Sequence, residues 1–327
     1  MFRQATNKVF IEGILSEINL DKRTYEKNGQ TVEGIGGNIK ILVEQDKETY
    51  EIPVYMFANR YTAAGKENPS YTSIKNVMEE YVSIAAGGKE AADRIRIGSG
   101  SIRTNDFLGR NGEMVSQPRV HAGFVSKVVR NFTPKAEFEL EVVFNTAVRV
   151  VDRDGVELDP PKLRVNVIVP QYTSPSATTM NLEEVTLIAN SPVAINAIEE
   201  NWEKGGTYKV FGKLNFTSVV REVKEEVGFG DPVIKTYTNS ISEFVIEKGS
   251  TEAMDPDYAF NLADIRDGMA ARANRLEAKK LEATKVAKNV PIESGLSAKK
   301  PIGEIIPPEK PKMGASKKIH AVEDLGF

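Results

Sequence analysis

The residues of this chain best equipped to do chemistry are aromatic rings interleaved with arginine and lysine. Tyr55, Phe57, Arg60, Tyr61 and Tyr71 crowd one stretch, and Arg103, Phe107, Arg110 and Arg119 flank a turn further on. A third group comprises Arg149, Arg153, Lys162, Arg164, Tyr172, Lys213, Phe216, Arg221, Lys235 and Tyr237. Flat rings stack on nucleobases, and guanidinium and ammonium groups pair with phosphates. The mixture therefore suits a single nucleic-acid strand held largely without regard to its sequence. Every ring has a second possible use, as filling for a small barrel. Tyr55 and Phe57 share one face of a strand and Val54 and Met56 the other, and alternation alone leaves open which pair is inside.

Catalytic chemistry is poorly supplied. The chain has two histidines, His121 and His320, and no cysteine, so a zinc site or a histidine-assisted nucleophile lacks its partners. The same absence of cysteine removes disulfides and thiolate chemistry and suits a reducing cytoplasm. Asp152-Arg153-Asp154-Gly155 brings two carboxylates together. That spacing with a following glycine is hairpin-turn chemistry, and no downstream acidic ligand completes a calcium loop. Gly34-Ile35-Gly36-Gly37 is glycine-rich, yet it leads into a strand rather than a helix, so it reads as a barrel loop and not as a phosphate loop. The expectation is a binding protein with no enzymatic activity, no metal and no other cofactor.

The elements that position these groups read as mainly β. Asn28-Gly29, Asn111-Gly112 and Asp154-Gly155 supply the positive-φ residues that tight hairpins require. Val9 to Leu15, Ile39 to Val43 and Tyr50 to Phe57 form three strands. A helix over 73–85 follows, with Ile74, Val77, Met78, Tyr81 and Ile84 on one face. After it come strands over 94–103 and from His121 to Val129. Three strands, a helix and a closing hairpin is the order of the oligonucleotide-binding (OB) fold, a five-stranded Greek-key barrel. The order recurs at Phe138 to Phe144, Leu163 to Val169 and Glu184 to Ile188. There the helix runs from Pro192 to Trp202, with Val193, Ala197, Ile198 and Trp202 facing the core, and strands at Tyr208 to Phe216 and Ser240 to Ile246 close the unit. Gly100 to Phe107 aligns weakly with Gly212 to Phe216, as after a duplication.

At 327 residues, 40% hydrophobic and 27% charged, the chain has room for two domains and a tail. The expected organisation is a first OB-fold domain over 1–130, a second over 131–250, a helical segment over 251–290 opening near Asp255-Pro256, and a disordered linker over 291–327. The net charge of −3 excludes a histone-like polycation but leaves room for a local basic groove. No apolar run reaches the length of a membrane span, and the opening residues lack the apolar core of a signal peptide. A cytoplasmic location is expected.

With these parts in view the chain resembles the single-stranded DNA-binding protein family of bacteria and their phages. Asn7 to Leu15 is similar to that family's first strand, and Arg96 to Asn105 to its glycine-bearing fourth strand. Glu323-Asp324-Leu325-Gly326-Phe327 is similar to its acidic C-terminal tip, although Gly326 stands where the family usually has proline. The resemblance implies a protein that coats and protects single-stranded DNA during replication, recombination and repair, in a phage-infected host cytoplasm. It also implies that Glu323, Asp324, Leu325 and Phe327 dock replication or recombination proteins. Monomer and homodimer both fit. Two other classes stay open: a structural or interaction β-protein such as a virion component, and a nuclease.

Overall fold

The computed structural model describes residues 2–27, 29–45, 47–109, 111–225 and 233–289, with the backbone alone at 27, 218–225, 233–239 and 285–289. Period-two patterning makes the strands. In Glu48–Asn59 the side chains of Tyr50, Ile52, Val54, Met56 and Ala58 are buried and those between them are not, the alternation of a pleated strand with one wet face. The first half of the chain contains β1 (Asn7–Lys27), β2 (Gln30–Gln45), β3 (Glu48–Asn59), α1 (Pro69–Glu80), α2 (Ile84–Gly87), β4 (Arg94–Leu108), β5 (Met114–His121) and β6 (Ser126–Lys127). The second contains β7 (Lys135–Arg149), β8 (Leu163–Pro170), β9 (Leu182–Ala189), α3 (Pro192–Asn201), β10 (Thr207–Glu225), β11 (Val233–Gly249) and α4 (Leu262–Asn289).

Pairing closes each half on itself. In the first, β1, β2 and β3 run antiparallel, β5 joins β3 in parallel at Val54–Val120 and Tyr55–His121, and β4 pairs with both β5 and β1. In the second, β7, β8 and β9 are antiparallel, β11 joins β9 in parallel at Val245–Ile188, and β10 pairs with both β11 and β7. Each is the closed five-stranded order of an OB-fold. The hairpin glycines have the positive φ that their turns need, 74° at Gly29, 79° at Gly112 and 82° at Gly155.

The two barrels share one sheet. β1 pairs antiparallel with β7 from Asn7–Leu140 to Glu12–Lys135. One transverse row crosses that seam: Gly100 opposite Val9, Val9 opposite Phe138, Phe138 opposite Gly212. Gly100 and Gly212, aligned in the sequence, thus occupy matching places on the two fourth strands. A Cβ on Gly212 would lie 2.4 Å from Phe138 Cζ and 2.0 Å from the Val245 carbonyl oxygen, so this row needs glycine there to close the second barrel.

Several expected boundaries move. α1 begins at Pro69, not at residue 73, because Asn68 caps it by accepting the Ser70 N–H at 3.0 Å and proline fits the first turn. It stops at Glu80 because the Val82 N–H turns out to the Asp93 carboxylate at 2.8 Å. The fifth strand of the first barrel is Met114–His121, ahead of the segment expected. Gly34 to Gly37 are not in a loop: they lie inside β2, paired to β1 on one side and β3 on the other. In α3 the core face is Ile195 and Ile198, whereas Val193 is 79% exposed. Trp202 stacks on Tyr208 with centroids 4.3 Å apart.

α4 starts at Leu262, capped by the Asn261 side chain, rather than at Asp255-Pro256, where Asp255 instead accepts N–H groups in a turn. It lies on both barrels. Ile265, together with Phe260 just ahead of the helix, packs with Val143, Ile168, Met180 and Leu182 of the second. Arg272 reaches the β4–β5 hairpin of the first, where its Nη2 pairs with Asp106 at 3.1 Å and donates to Thr104 and Ser116 hydroxyls at 3.3 and 3.1 Å. Among the described residues no helix is long and apolar enough to cross a membrane.

Candidate nucleic-acid interface

β3 settles which of its faces is wet. Val54 and Met56 are buried, and Tyr55 and Phe57 point outward, Phe57 with 53% of its surface exposed. Directly opposite residues in neighbouring strands share a face, so the register assembles the rest of the surface. Phe57 faces Gly36 and Asn59 faces Gly34 on β2, while Tyr55 faces His121 on β5. Beyond them Ser101 faces His121 and Arg103 faces Arg119.

The two glycines decide how Phe57 lies. A Cβ on Gly36 would come 2.7 Å from Phe57 Cδ2, and one on Gly34 would come 3.3 Å from Cε2. The ring therefore rests on a strip of bare backbone with its other face free. Tyr25, whose hydroxyl donates to Asn59 at 2.6 Å, stands at its side with centroids 6.3 Å apart. On the other side the Arg119 guanidinium lies 4.3 Å from the Tyr55 ring centroid, a cation–π contact. His121 completes this group at 5.9 Å from Tyr55. Burial, then the Arg103 and Arg119 charges, push the imidazole down to about 4, so it is neutral at pH 7. The face thus offers the open Phe57 ring beside an arginine-covered Tyr55, with no carboxylate paired to Arg119 among the described residues.

Arg60 and Tyr61 extend the surface at the exit of β3. Tyr61 is 54% exposed, with the Arg60 guanidinium 5.4 Å from its centroid and held by Glu33 at 2.6 Å. Arg103 and Phe107 are exposed along β4. Tyr71 is not open on this face: it is largely buried on the core side of α1, because the Asn68 cap sets the first helical turn against the barrel, and it borders a cleft beside β2. Arg110 lies outside the described residues.

The second barrel does not repeat this face. The outward residues of β9 include Glu184 and Thr186, with no ring among them. Phe216 is buried, packed edge-on to Phe244 with centroids 5.5 Å apart, so it fills the core and cannot take a base. Arg149 is held by Glu199 at 2.6 Å and Glu157 at 3.0 Å, Lys162 by Glu243 at 3.0 Å and Lys213 by Glu247 at 3.4 Å. Arg153 sits on the β7–β8 turn, Arg164 on the outer side of β8, and Tyr172 beyond β8 with 72% of its surface exposed. Arg221 and Tyr237 are cross-strand partners in the β10–β11 ladder and Lys235 lies on the same strand as Tyr237; their side chains are outside the described residues. So are the tip residues Glu323, Asp324, Leu325 and Phe327 and the expected linker.

Sequence reasoning missed Tyr25, Gly34, Gly36 and His121 as parts of this surface. One signal was present: glycines two apart in a strand leave one face of it bare, which marks a place where a ring can lie flat.

Comparison with known proteins gives one family match. The model of the family described as YorF matches residues 5–282, and no curated protein matches the chain in sequence. Among solved structures, the wild-type single-stranded DNA binding protein from Thermus aquaticus aligns with a TM-score of 0.44 and 10% identity over 78% of this chain and 96% of its own. A deletion mutant of that protein aligns with a TM-score of 0.42 and 13% identity over 77% and 97%. At those scores neither likeness bears on what this chain binds.

Proposed function

We propose that this chain, which belongs to the YorF family, binds single-stranded DNA without sequence preference through the outer face of its first barrel. The observation that carries the proposal is the Phe57 ring, seated on Gly34 and Gly36 with its far face open beside the Tyr55–Arg119 pair. Every base has a π-face, so such a platform takes any base, and only an unpaired strand can offer bases to it. In the second barrel three of the sequence-predicted cations are already neutralised by glutamates, so it serves mainly as the scaffold that α4 and β7 hold against the first. Coating of DNA during replication or recombination, and recruitment of partner proteins by Glu323, Asp324, Leu325 and Phe327, extend the proposal and rest on the sequence.

Anisotropy of a labelled dT oligomer, with duplex DNA as competitor, tests it. Trp202 is a poor reporter, being buried in the second barrel. The wild-type chain should bind the single strand tightly and the duplex weakly. Phe57→Ala should weaken binding by about 1–3 kcal/mol, the usual worth of one stacked base. Gly36→Ala, which displaces the ring without removing it, should weaken binding less. Absence of binding at low salt would sink the proposal and favour a structural β-protein.

A further inference from the structure

A cleft borders the Phe57 platform. The β1–β2 hairpin, the exit of β3 and the start of α1 enclose about 420 Å³. Lys22, Arg23, Arg60 and Lys75 line it against Glu33 and Glu67, four cations to two carboxylates. Not all four are available. Arg60 is held by Glu33 at 2.6 Å. A third carboxylate, Glu79, is 2.9 Å from Lys22 and 3.7 Å from Lys75, so one acid serves two ammonium groups. Arg23, exposed on β1 opposite Gly34, has no side-chain hydrogen bond or ion pair among the described residues. Arg23 and the loosely held Lys75 are therefore the groups with charge to give an incoming anion. Thr72 and Asn76 add neutral donors from α1.

Gly34 belongs to both features: it lines the cleft and lies beneath the Phe57 ring. A strand with a base on Phe57 would carry its adjoining backbone past Gly34 into this space. Resting on the single-strand reading of the Phe57 face, we infer that the cleft receives a backbone phosphate of the bound strand, with Arg23 and Lys75 as its ligands. The strand then runs from the α1 side of β2, over Phe57 and Tyr55, toward Arg119 and Arg103. Neutralising a phosphate releases condensed counterions, so this contact has a signature that stacking lacks.

The experiment is a salt titration of dT-oligomer binding to the full chain, for wild type, Phe57→Ala and the double variant Arg23→Ala/Lys75→Ala. A Arg23→Gln/Lys75→Gln pair, which retains side-chain length, serves if the alanine pair folds poorly. The double variant should bind about tenfold more weakly, equally for dT, dA and dC oligomers, with a log–log salt slope shallower by roughly 0.7 for the one phosphate no longer neutralised. Phe57→Ala should weaken binding with the slope unchanged. Wild-type slope and affinity in the double variant would overturn the cleft assignment while leaving the platform standing. Failure of the wild type to bind at low salt would overturn both. If sodium phosphate at fixed ionic strength raises the melting temperature of the wild type alone, while oligomer binding is the same in both, the cleft takes free phosphate, and the inference falls.

Discussion

Arg119 covers one face of Tyr55 at 4.3 Å from the ring centroid, and its Nε is buried with no hydrogen-bond partner among the described residues. The guanidinium is thus a second flat surface laid over the first, only partly used by its bond to Gln117 at 3.1 Å. On the proposed single-strand reading, a base would either displace it or stack upon it, and the planar cation favours the latter.

Substitution tells a plane from a point charge. Arg119→Lys keeps the charge and loses the plane, so it should weaken dT-oligomer binding by about 1 kcal/mol, with the salt slope of the wild type. Full affinity in Arg119→Lys, combined with a shallower slope in Arg119→Ala, would show that the residue binds phosphate instead.

Arg272 is the point at which α4 grips the first barrel. Its side chain is 4% exposed and that of Asp106 18%, so removing either partner strands the other in poorly hydrated surroundings. Arg272→Ala should cost about 3–5 kcal/mol in urea unfolding, whereas replacing both, as Arg272→Met with Asp106→Leu, should recover most of it. A double variant that loses the sum of the Arg272→Met and Asp106→Leu losses would show that the two residues are not coupled.

His121 gives the fold a pH dependence of known sign. Its folded value is lowered from 6.5 to about 4, chiefly by burial and then by Arg103 and Arg119. Between those values the unfolded chain binds the proton and the folded chain does not, so stability falls as the pH drops through this window and is fully present above 6.5. The displacement caps the loss at roughly 3 kcal/mol. His121→Gln should lose correspondingly less stability than wild type between about pH 7.5 and pH 4.5 in urea titrations. Parallel pH profiles for the two proteins would show that the imidazole is no more buried than in the unfolded chain.

The barrels were legible in the sequence because their information is local. Asn111-Gly112 and Asp154-Gly155 mark turns, and the alternation around Ile52 and Val165 marks strands, without reference to anything distant. The platform was half legible. Tyr55, Phe57, Val54 and Met56 are all apolar enough to be core, so alternation divides them into pairs but does not orient the pairs. What orients them is the register that puts Gly36 opposite Phe57, a long-range fact. The same holds for Arg149 and Lys213, which read as cations free for phosphate until pairing brings Glu199 and Glu247 beside them. Tyr71 was expected among the exposed rings; the Asn68-Pro69 start of α1, which periodicity alone placed later, sets the helical phase that buries it. The seam left no local trace, since Val9 and Phe138 look like any buried strand residues.

That seam has a consequence for how the two halves can differ. Val9 opposite Phe138, with Gly100 and Gly212 outside them, is the arrangement two identical subunits would adopt about a twofold axis. In a homodimer such a contact dissolves on dilution, and every substitution is imposed on both copies. Here the partners are tethered in one polypeptide, so the contact is held at high effective concentration whatever the protein concentration. Symmetry is also released: Tyr55 and Phe57 decorate one half while Glu184 and Thr186 occupy the other, a division of labour unavailable to a pair of identical subunits.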